Sequence, residues 1–347
     1  MRLVLAVPGD LSAPTGGYAY ARQLLAHLPA QGVAVTHLAL PGGFPDPTPD
    51  DLARTAALLG EGPADAALLV DGLAYGALPP EVIRAAGRPV AALVHHPLGY
   101  ETGLPPERAA ALVAGERTAL ALASRVVATS RYTARLLAAE FGVPSGRIAV
   151  AEPGTPPAAR VAPRPGPQVR LLSVGTVSPR KGYDVLVRAL ATLTDLDWSL
   201  TIAGSLDRAP DCAAALRDQI AASHLRNRIT LAGTVTPEAL DRLSAEADLA
   251  VSASLFEGYG MALAEALARG LPLVATSGGA AAETAPAGAG LTVPPGDAAA
   301  LAAALRALIA DPARRAEAAA ASWAAGRRLP GWPDTAAAIA AFLRTSA

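Results

Sequence analysis

Two glutamates, Glu257 and Glu265, lie eight positions apart in a stretch that could bind a ligand. The stretch runs from Val251 to Thr276 and reads VSASLFEGYGMALAEALARGLPLVAT. Between the glutamates is a glycine-rich turn, and the free N–H groups of the helix predicted after it favour a phosphate oxygen. Two carboxylates beside a phosphate would repel it. We therefore expect them to accept hydrogen bonds from hydroxyls on either side of it, as a sugar and a ribose would supply.

Two cations, Arg180 and Lys181, lie in a second loop, which runs from Gly175 to Tyr183. The order Lys-Gly excludes a Walker A loop, which needs Gly-Lys-Ser/Thr. Arg can bind a phosphate through two parallel hydrogen bonds, and Lys offers a compact charge. Both suit a leaving diphosphate, and the alternative interpretation is a solvated charge pair.

Two histidines, His95 and His96, follow an apolar run at 90–94. This is the carboxyl end of a predicted strand, where open α/β sheets place their ligands. A histidine there could donate to a sugar hydroxyl or to developing negative charge. Adjacent strand residues point to opposite faces, so the two histidines are not expected to share one role. The alternative is a structural histidine at the strand end, with its hydrogen bonds satisfied within the protein.

The elements that position these residues are strands that alternate with helical patterns along the chain, which predicts parallel sheets with ligand sites at their carboxyl edges. A short helix from about Met261 to Arg269 is predicted to end at Gly270 and Pro272. The predicted strands are 1–7, 33–39, 66–70, 90–94, a run from Arg125, a run after the turn Gly142-Val143-Pro144, Arg170–Val174, runs that end at Gly204, Gly233 and near Ser254, Leu271–Thr276 and a run from Leu291.

Composition limits the classes of protein that fit. A chain of 347 residues suits two domains. A net charge of −1 gives no general attraction to nucleic acid or acidic membrane. The single cysteine, Cys212, excludes a disulfide framework and a cysteine-based zinc site. The opening apolar run is too short for a signal peptide or a membrane span, so we expect a cytoplasmic protein without a transmembrane segment, which is compatible with peripheral membrane contact.

The run EGYGMALAEALARGLPLVA resembles the E-x7-E signature of retaining glycosyltransferases of family four, which have the GT-B fold. The loop GTVSPRKG is similar to a variant of the family's phosphate loop, although Thr176 stands where the commonest pattern has Arg. Ser277–Glu283 reads SGGAAAE and resembles the family's G-G-x-x-E turn with one residue more before the glutamate. This turn would help to close the donor pocket, and the alternative for Glu283 is a carboxylate at the start of a helix. The resemblance covers most of the chain and is tightest at 170–183 and 251–296.

The resemblance implies an α/β protein of two Rossmann-like, doubly wound parallel-sheet domains with a cleft between them. Residues 1–155 would form an N-terminal acceptor domain, onto which a terminal helix at 332–347 crosses back. Residues 156–168 would be a linker, as the six prolines from Pro153 to Pro167 also indicate. Residues 169–331 would bind the nucleotide sugar.

The implied activity is retaining transfer of a sugar from a nucleotide-diphosphate sugar to a hydroxyl of a small-molecule, glycan or lipid-linked acceptor. In the family the donor phosphate itself accepts the acceptor proton. Backbone dipoles with Arg180 and Lys181 can stabilise the leaving diphosphate, so we expect no metal ion and no cofactor. By the same resemblance the catalytic residues are His95, Glu257, Lys181 and Arg180. The donor-binding residues that match the family's motifs are Gly16, Gly17, Gly175, Arg180, Lys181, Glu257, Gly258, Tyr259, Gly260, Met261, Ala262 and Glu265.

Other interpretations of the same motifs stay open. A non-catalytic subunit that binds a sugar nucleotide would keep the site without turnover, and a GT-B epimerase or phosphorylase is a third class. Asp195 and Asp197 spell a D-x-D metal motif, but they are predicted to lie at the wrong edge of the sheet. No motif specifies the base, the sugar, the acceptor or the oligomeric state, because loop residues at the pocket rim set specificity.

Overall fold

The chain folds into two compact units, each built on a parallel β-sheet. The structure, a computed structural model, describes residues 1–63, 65–162 and 166–344. The first unit comprises Met1–Gly154 and the chain from Pro330, and the second comprises Thr155–Leu329. In the described residues each unit has one six-stranded sheet with helices around it. The predicted fold class, α/β with two doubly wound parallel sheets, is confirmed.

The first unit contains the first six strands and seven helices of the described chain. Its sheet has the order β2-β1-β3-β4-β5-β6. The strands are β1 (Arg2–Pro8), β2 (Ala34–Leu40), β3 (Ala67–Asp71), β4 (Val90–Val94), β5 (Arg125–Ala128) and β6 (Ile148–Val150). The helices are α1 (Gly16–His27), α2 (Pro49–Gly60), α3 (Gly72–Tyr75), α4 (Pro80–Ala85), α5 (Pro106–Ala121), α6 (Arg131–Glu140) and, from the end of the chain, α14 (Trp332–Arg344).

The second unit repeats this design with the order β12-β11-β10-β7-β8-β9. Its strands are β7 (Val169–Val174), β8 (Trp198–Ala203), β9 (Ile229–Gly233), β10 (Leu249–Ser252), β11 (Leu273–Thr276) and β12 (Gly290–Val293). Its helices are α7 (Tyr183–Ala191), α8 (Pro210–Ala222), α9 (Pro237–Glu246), α10 (Met261–Ala268), α11 (Ala281–Thr284), α12 (Ala298–Ile309) and α13 (Pro312–Gly326).

Each sheet has one place where the strand order reverses. In the first sheet β1 lies between β2 and β3, and in the second sheet β7 lies between β8 and β10. The connections on the two sides of such a place run away from each other, which opens a crevice at the carboxyl ends of the strands. The loop after β1 and the end of β3 therefore meet in the first unit, and the loops after β7 and β10 meet in the second.

The sheets are held by apolar side chains on both faces, as parallel strands require. In β1 every residue after Arg2 is buried. The core of the second unit includes Leu171, Trp198 and Leu249, which are at most 2% exposed. Burial of side chains of this size supplies the main favourable free energy of folding.

Two strand boundaries differ from the sequence expectations. Strand β10 ends at Ser252, before Ser254. Strand β11 begins at Leu273, because the N–H of Leu271 donates to Ala266 O and so belongs to the cap that ends α10. Of the predicted linker, residues 163–165 lie outside the described residues, and Val161 before them donates its N–H to Arg269 O in the second unit.

No helix in the described ranges combines the length and the apolar character that crossing a membrane requires.

Candidate functional site

The reversal of the second sheet brings the two predicted cations to one predicted carboxylate. Lys181 Nζ lies 2.6 Å from Glu257 Oε1, and Arg180 Nη1 lies 3.3 Å from Glu257 Oε2. Arg180 Nη1 also donates to Phe256 O at 2.8 Å. Lys181 and Arg180 come from the loop after β7, and Glu257 comes from the loop after β10. The strand order thus explains why residues 76 and 77 positions apart meet.

Backbone contacts hold these two loops together. The N–H of Leu255 donates to Arg180 O at 2.7 Å. Gly182 has φ of 60°, and a Cβ at this position would lie only 2.2 Å from Ala253 O. Only glycine therefore allows both the left-handed conformation and the close approach of the two backbones. The cations are placed by the main chain as well as by their own ion pairs.

The carboxylate of Glu257 is buried, at 7% exposure, and stays ionised. Burial raises its pKa, but the charges of Lys181 and Arg180 outweigh that effect, and hydrogen bonds from Lys181 and Ser254 add to them, so that the pKa is lowered to about 2. The bond from Ser254 Oγ to Glu257 Oε1 is 2.6 Å long. Two cations and one carboxylate leave an excess of one positive charge, which favours an anion.

The turn that resembles the G-G-x-x-E motif packs beside Glu257. The N–H of Glu257 donates to Gly278 O at 3.1 Å, and the N–H of Ala280 donates to Glu257 O at 2.8 Å. A Cβ at Gly279 would lie 2.3 Å from Glu257 O. Glu283, the acidic residue of this turn, is exposed. The turn therefore supports Glu257 through its backbone.

Helix α10 begins directly after the loop that carries Glu257. Its N-cap, Gly260, has φ of 98° and makes no side-chain capping hydrogen bond. The first helical residues, Met261 and Ala262, have N–H groups that no preceding helical carbonyl can accept. Tyr259 is buried, and Thr284 Oγ1 donates to its carbonyl oxygen. The free helix end predicted from the sequence is thus present next to Glu257.

Glu265 lies one turn further along α10 and lines a pocket of the second unit. Ala262, Ser252 and Arg269 line the same pocket, with apolar side chains of β7 and α9. Burial raises the pKa of Glu265, and the charge of Arg269 acts in the opposite direction. A half-buried carboxyl group at a pocket wall can accept hydrogen bonds from ligand hydroxyls. The resemblance assigns this residue to the ribose of the donor, which stays a prediction.

Gly175 directly follows β7 and begins the loop that carries Arg180 and Lys181. Its carbonyl oxygen accepts a hydrogen bond from Tyr183 Oη at 2.9 Å, and its N–H donates to Ala203 O. Lys181 crosses directly over it, since a Cβ on Gly175 would lie 2.8 Å from Lys181 Cε. Gly258, Gly260 and Gly175 thus all lie in the two loops that contain the charged residues.

The remaining predicted residues belong to the first unit. Gly16 and Gly17 open α1, whose N-cap Thr15 accepts a hydrogen bond from Tyr18 N. His95 follows β4, and a Cβ on Gly17 would lie 3.4 Å from the Cδ2 and Nε2 atoms of its ring.

The two histidines have different partners, as their alternation predicts. His95 Nε2 lies 3.3 Å from Asp71 Oδ2, and His96 Nε2 lies 3.4 Å from Glu101 Oε2. Sequence reasoning did not single out Asp71 or the Ser254 hydroxyl. Asp71 could have been found, because it is a charged residue that ends an apolar strand at the edge where ligands bind.

Across residues 1–63, 65–162 and 166–344, no three His, Cys, Asp or Glu side chains converge on a position that could hold a metal ion.

Two family models match the chain and together cover most of it. Residues 158–323 match the model described as "Glycosyl transferases group 1". Residues 14–159 match the model described as "Glycosyltransferase Family 4". The boundary between the two matches falls in the predicted linker.

Curated relatives are about one third identical to the chain over the region that aligns. A protein of Xylanimonas cellulosilytica named D-inositol 3-phosphate glycosyltransferase is 34% identical over 247 residues, which are 65% of this chain and 58% of that protein. A protein of the same name from Pseudarthrobacter chlorophenolicus is 34% identical over 239 residues, 64% of this chain and 56% of that protein. The aligned region thus spans less than two thirds of these relatives.

Solved structures share the fold over nearly the whole chain. HepE of Anabaena, solved in complex with UDP and glucose, superposes with a TM-score of 0.76 at 19% identity and covers 99% of both chains. Sucrose-phosphate synthase of Thermosynechococcus elongatus superposes with a TM-score of 0.79 at 22% identity and covers 96% of both chains.

Proposed function

This chain belongs to the group 1 glycosyltransferases of family four, which have the GT-B fold, and on that premise we propose that it transfers a sugar from a nucleotide-diphosphate sugar to an acceptor hydroxyl. The observation that carries the proposal is the cluster of Arg180, Lys181 and Glu257 at the strand-order reversal of the second sheet. It provides excess positive charge beside the free end of α10, where a diphosphate would leave.

The residues divide the work as follows. Arg180, Lys181 and the N–H groups that open α10 stabilise negative charge on the leaving diphosphate, and preorganised donors of this kind lower the barrier without a metal ion. Glu257, ionised and fixed by two cations and Ser254, orients the donor sugar through its hydroxyls. Glu265 accepts from the ribose. We assign acceptor binding to the first unit, and His95 is its candidate substrate-binding residue.

The reaction retains configuration at the sugar carbon. The bond between that carbon and the diphosphate oxygen breaks while a bond to the acceptor oxygen forms on the same face. The acceptor proton moves to the departing phosphate oxygen, so no protein base is required. Loss of one stabilising cation is expected to cost about 3–4 kcal/mol at the barrier, or on the order of several hundred-fold in rate.

The comparisons suggest where to look for the substrates. Structures of HepE hold UDP and UDP-glucose, and the curated relatives are named for D-inositol 3-phosphate. We therefore place UDP-hexoses first in the donor panel and small polyols, free or phosphorylated, first in the acceptor panel. GDP and ADP sugars and glycan or lipid-linked acceptors complete the panels.

The test is a two-stage assay with the full chain. Thermal shift against nucleotide-diphosphate sugars selects the donor, and release of nucleoside diphosphate with and without acceptors, in buffer with EDTA, measures turnover. The proposal expects transfer that survives EDTA, a product with the donor's anomeric configuration, and a several hundred-fold loss of rate in Lys181→Met with an unchanged circular-dichroism spectrum. Tight donor binding without turnover on any acceptor would instead favour a non-catalytic binding subunit.

A further inference from the structure

Only one carboxyl oxygen of Asp71 serves as a helix cap, and the other faces His95. Asp71 ends β3 and is 2% exposed. Its Oδ1 accepts a hydrogen bond from Leu73 N at 2.9 Å and so caps α3. Its Oδ2 faces the His95 ring, with 3.3 Å between Oδ2 and Nε2. In the described part of the chain no Lys or Arg forms an ion pair with Asp71, so His95 is its charge-bearing neighbour.

The His95 ring is fixed by the protein around this contact. Tyr20 packs edge-on against it, with 5.3 Å between ring centroids, and Tyr20 is itself held by a hydrogen bond from its hydroxyl to Ala151 O. The hydroxyls of Thr129 and Thr133 donate to the His95 carbonyl oxygen at 3.3 and 3.4 Å. The ring therefore cannot turn away from Asp71 without losing its packing.

The close packing of Asp71 and His95 also depends on the backbone between their strands. Gly72 follows Asp71, and a Cβ there would lie 2.8 Å from Leu93 O and 3.2 Å from Val94 Cα. Since β3 and β4 are neighbours in the sheet, a glycine at this place lets the end of β3 approach the end of β4. The sequence thus brings a buried carboxylate up to the histidine that the resemblance places by the donor sugar.

An ionised carboxylate can only accept a hydrogen bond, so the proton between the two groups belongs to His95 Nε2. The other ring nitrogen of the neutral imidazole, Nδ1, then carries a lone pair and accepts. We propose that Asp71 is a positioning residue that fixes His95 in the Nε2–H tautomer, so that Nδ1 accepts a hydrogen bond from a hydroxyl of the substrate. This inference rests on the proposed function and assigns a residue that none of the sequence motifs contains.

The exposed fractions agree with this division of roles. The His95 side chain is 22% exposed, whereas that of Asp71 is 3% exposed. A ligand can therefore reach the histidine but not the carboxylate. Asp71 therefore acts on the reaction only through the His95 ring. A hydrogen bond to one ring nitrogen of a histidine commonly sets the role of the other nitrogen.

The substitution Asp71→Asn tests the proposal while preserving the helix cap. With its Oδ1 still bound to Leu73 N, the amide would turn an NH2 group toward His95 Nε2, and that nitrogen would have to accept. The ring would move to the Nδ1–H tautomer and lose its acceptor on the substrate side. Nitrogen-15 NMR of histidine-labelled protein reads the tautomer directly, and His95→Gln identifies the signal.

We expect the Nε2–H tautomer for His95 in the wild type and the Nδ1–H tautomer in Asp71→Asn. We also expect kcat to fall about 10- to 100-fold with donor KM and the thermal midpoint nearly unchanged, because one hydrogen bond to the substrate is lost. The matched control is Asp297→Asn, which alters the N-cap carboxylate of α12, bound to Ala300 N, and should change neither readout.

A double-mutant cycle separates positioning from a structural role. If Asp71 acts through His95, then Asp71→Asn should have no further effect on kcat in a His95→Ala background. Additive losses, an unchanged kcat in Asp71→Asn, or an Nδ1–H tautomer in the wild type would each overturn the proposal. If the wild type transfers no sugar at all, the proposed function fails, whereas the tautomer of His95 is still decided by the NMR spectrum.

Discussion

Glu257 sets the net charge of the candidate site and fixes the positions of its polar side chains. Lys181, Arg180 and Ser254 all contact its carboxylate. Removing one member of a buried ion pair leaves the others with unpaired charge, which costs more than the pair itself contributes. We therefore expect the loss of Glu257 to affect folding as well as the proposed donor binding. A conservative amide separates the two effects better than alanine.

Glu257→Gln should change how stability depends on pH. The folded pKa of Glu257 is about 2, below its ordinary 4.5, so its ionised form stabilises the fold above pH 4.5 and this contribution is lost as pH falls toward 2. The shift corresponds to a contribution on the order of 3 kcal/mol. Urea unfolding between pH 7 and pH 3 should show the gap between wild type and Glu257→Gln narrowing as pH falls. Glu317→Gln, an exposed change on α13, should show a constant gap, and a constant gap for Glu257→Gln would refute the ionised state assigned here.

At the residue scale the sequence predicted the types of group but not their partners. The E-x7-E spacing and the Arg-Lys pair indicated an anion site with hydroxyl-binding carboxylates. That Lys181 and Arg180 both bind Glu257 follows from the strand order, which joins loops far apart in the chain. The Asp71 contact was missed because a single aspartate has no spacing pattern, although its place at the end of an apolar strand could have marked it.

In the second unit the loop after β7 packs against the loop after β10, and Gly182 lies where the two backbones meet. Gly182→Ala would place a Cβ 2.2 Å from Ala253 O and strain a residue with φ of 60°. We expect a loss of stability clearly above the ~1–2 kcal/mol of left-handed strain alone, together with a raised donor KM, because the cation loop must move. The matched control is Gly87→Ala, with φ of 61° and open space around its Cβ position. Equal effects of the two substitutions on the thermal midpoint would contradict the close approach described here.

In the first unit, Glu116 of α5 anchors the segment that follows the histidines. It is 1% exposed, and its Oε2 accepts a hydrogen bond from Leu98 N at 2.8 Å. Burial raises the pKa of Glu116 to about 8, although the Leu98 hydrogen bond acts against the rise. The folded protein therefore holds this proton at neutral pH.

Glu116→Gln should stabilise the protein increasingly as pH rises. Between pH 4.5 and about 8 the unfolded chain releases the Glu116 proton but the folded chain does not, so wild-type stability falls with pH across this window. Glutamine keeps an acceptor for Leu98 N and carries no proton to lose. The difference in unfolding free energy should grow by about 2–5 kcal/mol from pH 5 to pH 8. Glu107→Gln on the exposed first turn of α5 serves as the control, and parallel curves for wild type and Glu116→Gln would be the contrary result.

At the element scale the sequence predicted the strands well, because buried parallel strands are continuous apolar runs that end at glycine, proline or polar residues. Helix α10 was predicted to within one residue, with its end indicated by Gly270 and Pro272. The boundaries that differed depend on hydrogen bonds outside the run, such as Leu271 N to Ala266 O. Those bonds leave no mark in a hydrophobic pattern.

For the whole molecule, the two parallel sheets follow from alternation of strands and helices, but the strand order within each sheet does not. Periodicity predicts which residues are buried and leaves open which strands are neighbours. The order β11-β10-β7-β8 is what makes one site from residues of two distant loops. The resemblance to family four implied doubly wound parallel sheets without stating the order of their strands, and the structure and the fold comparisons confirm the fold that it implies.

We propose above all that Lys181 and Arg180 bind the diphosphate group of a nucleotide sugar. Calorimetric binding of UDP, GDP and ADP, each beside its unphosphorylated nucleoside, to the wild type and to Lys181→Met tests it most directly. The account predicts that the preferred nucleoside diphosphate loses at least about tenfold in affinity in Lys181→Met, as loss of a charge-assisted hydrogen bond implies, while the nucleoside binds both proteins equally. Equal affinity of the diphosphate for both proteins, or no binding of any diphosphate to the wild type, would contradict the account.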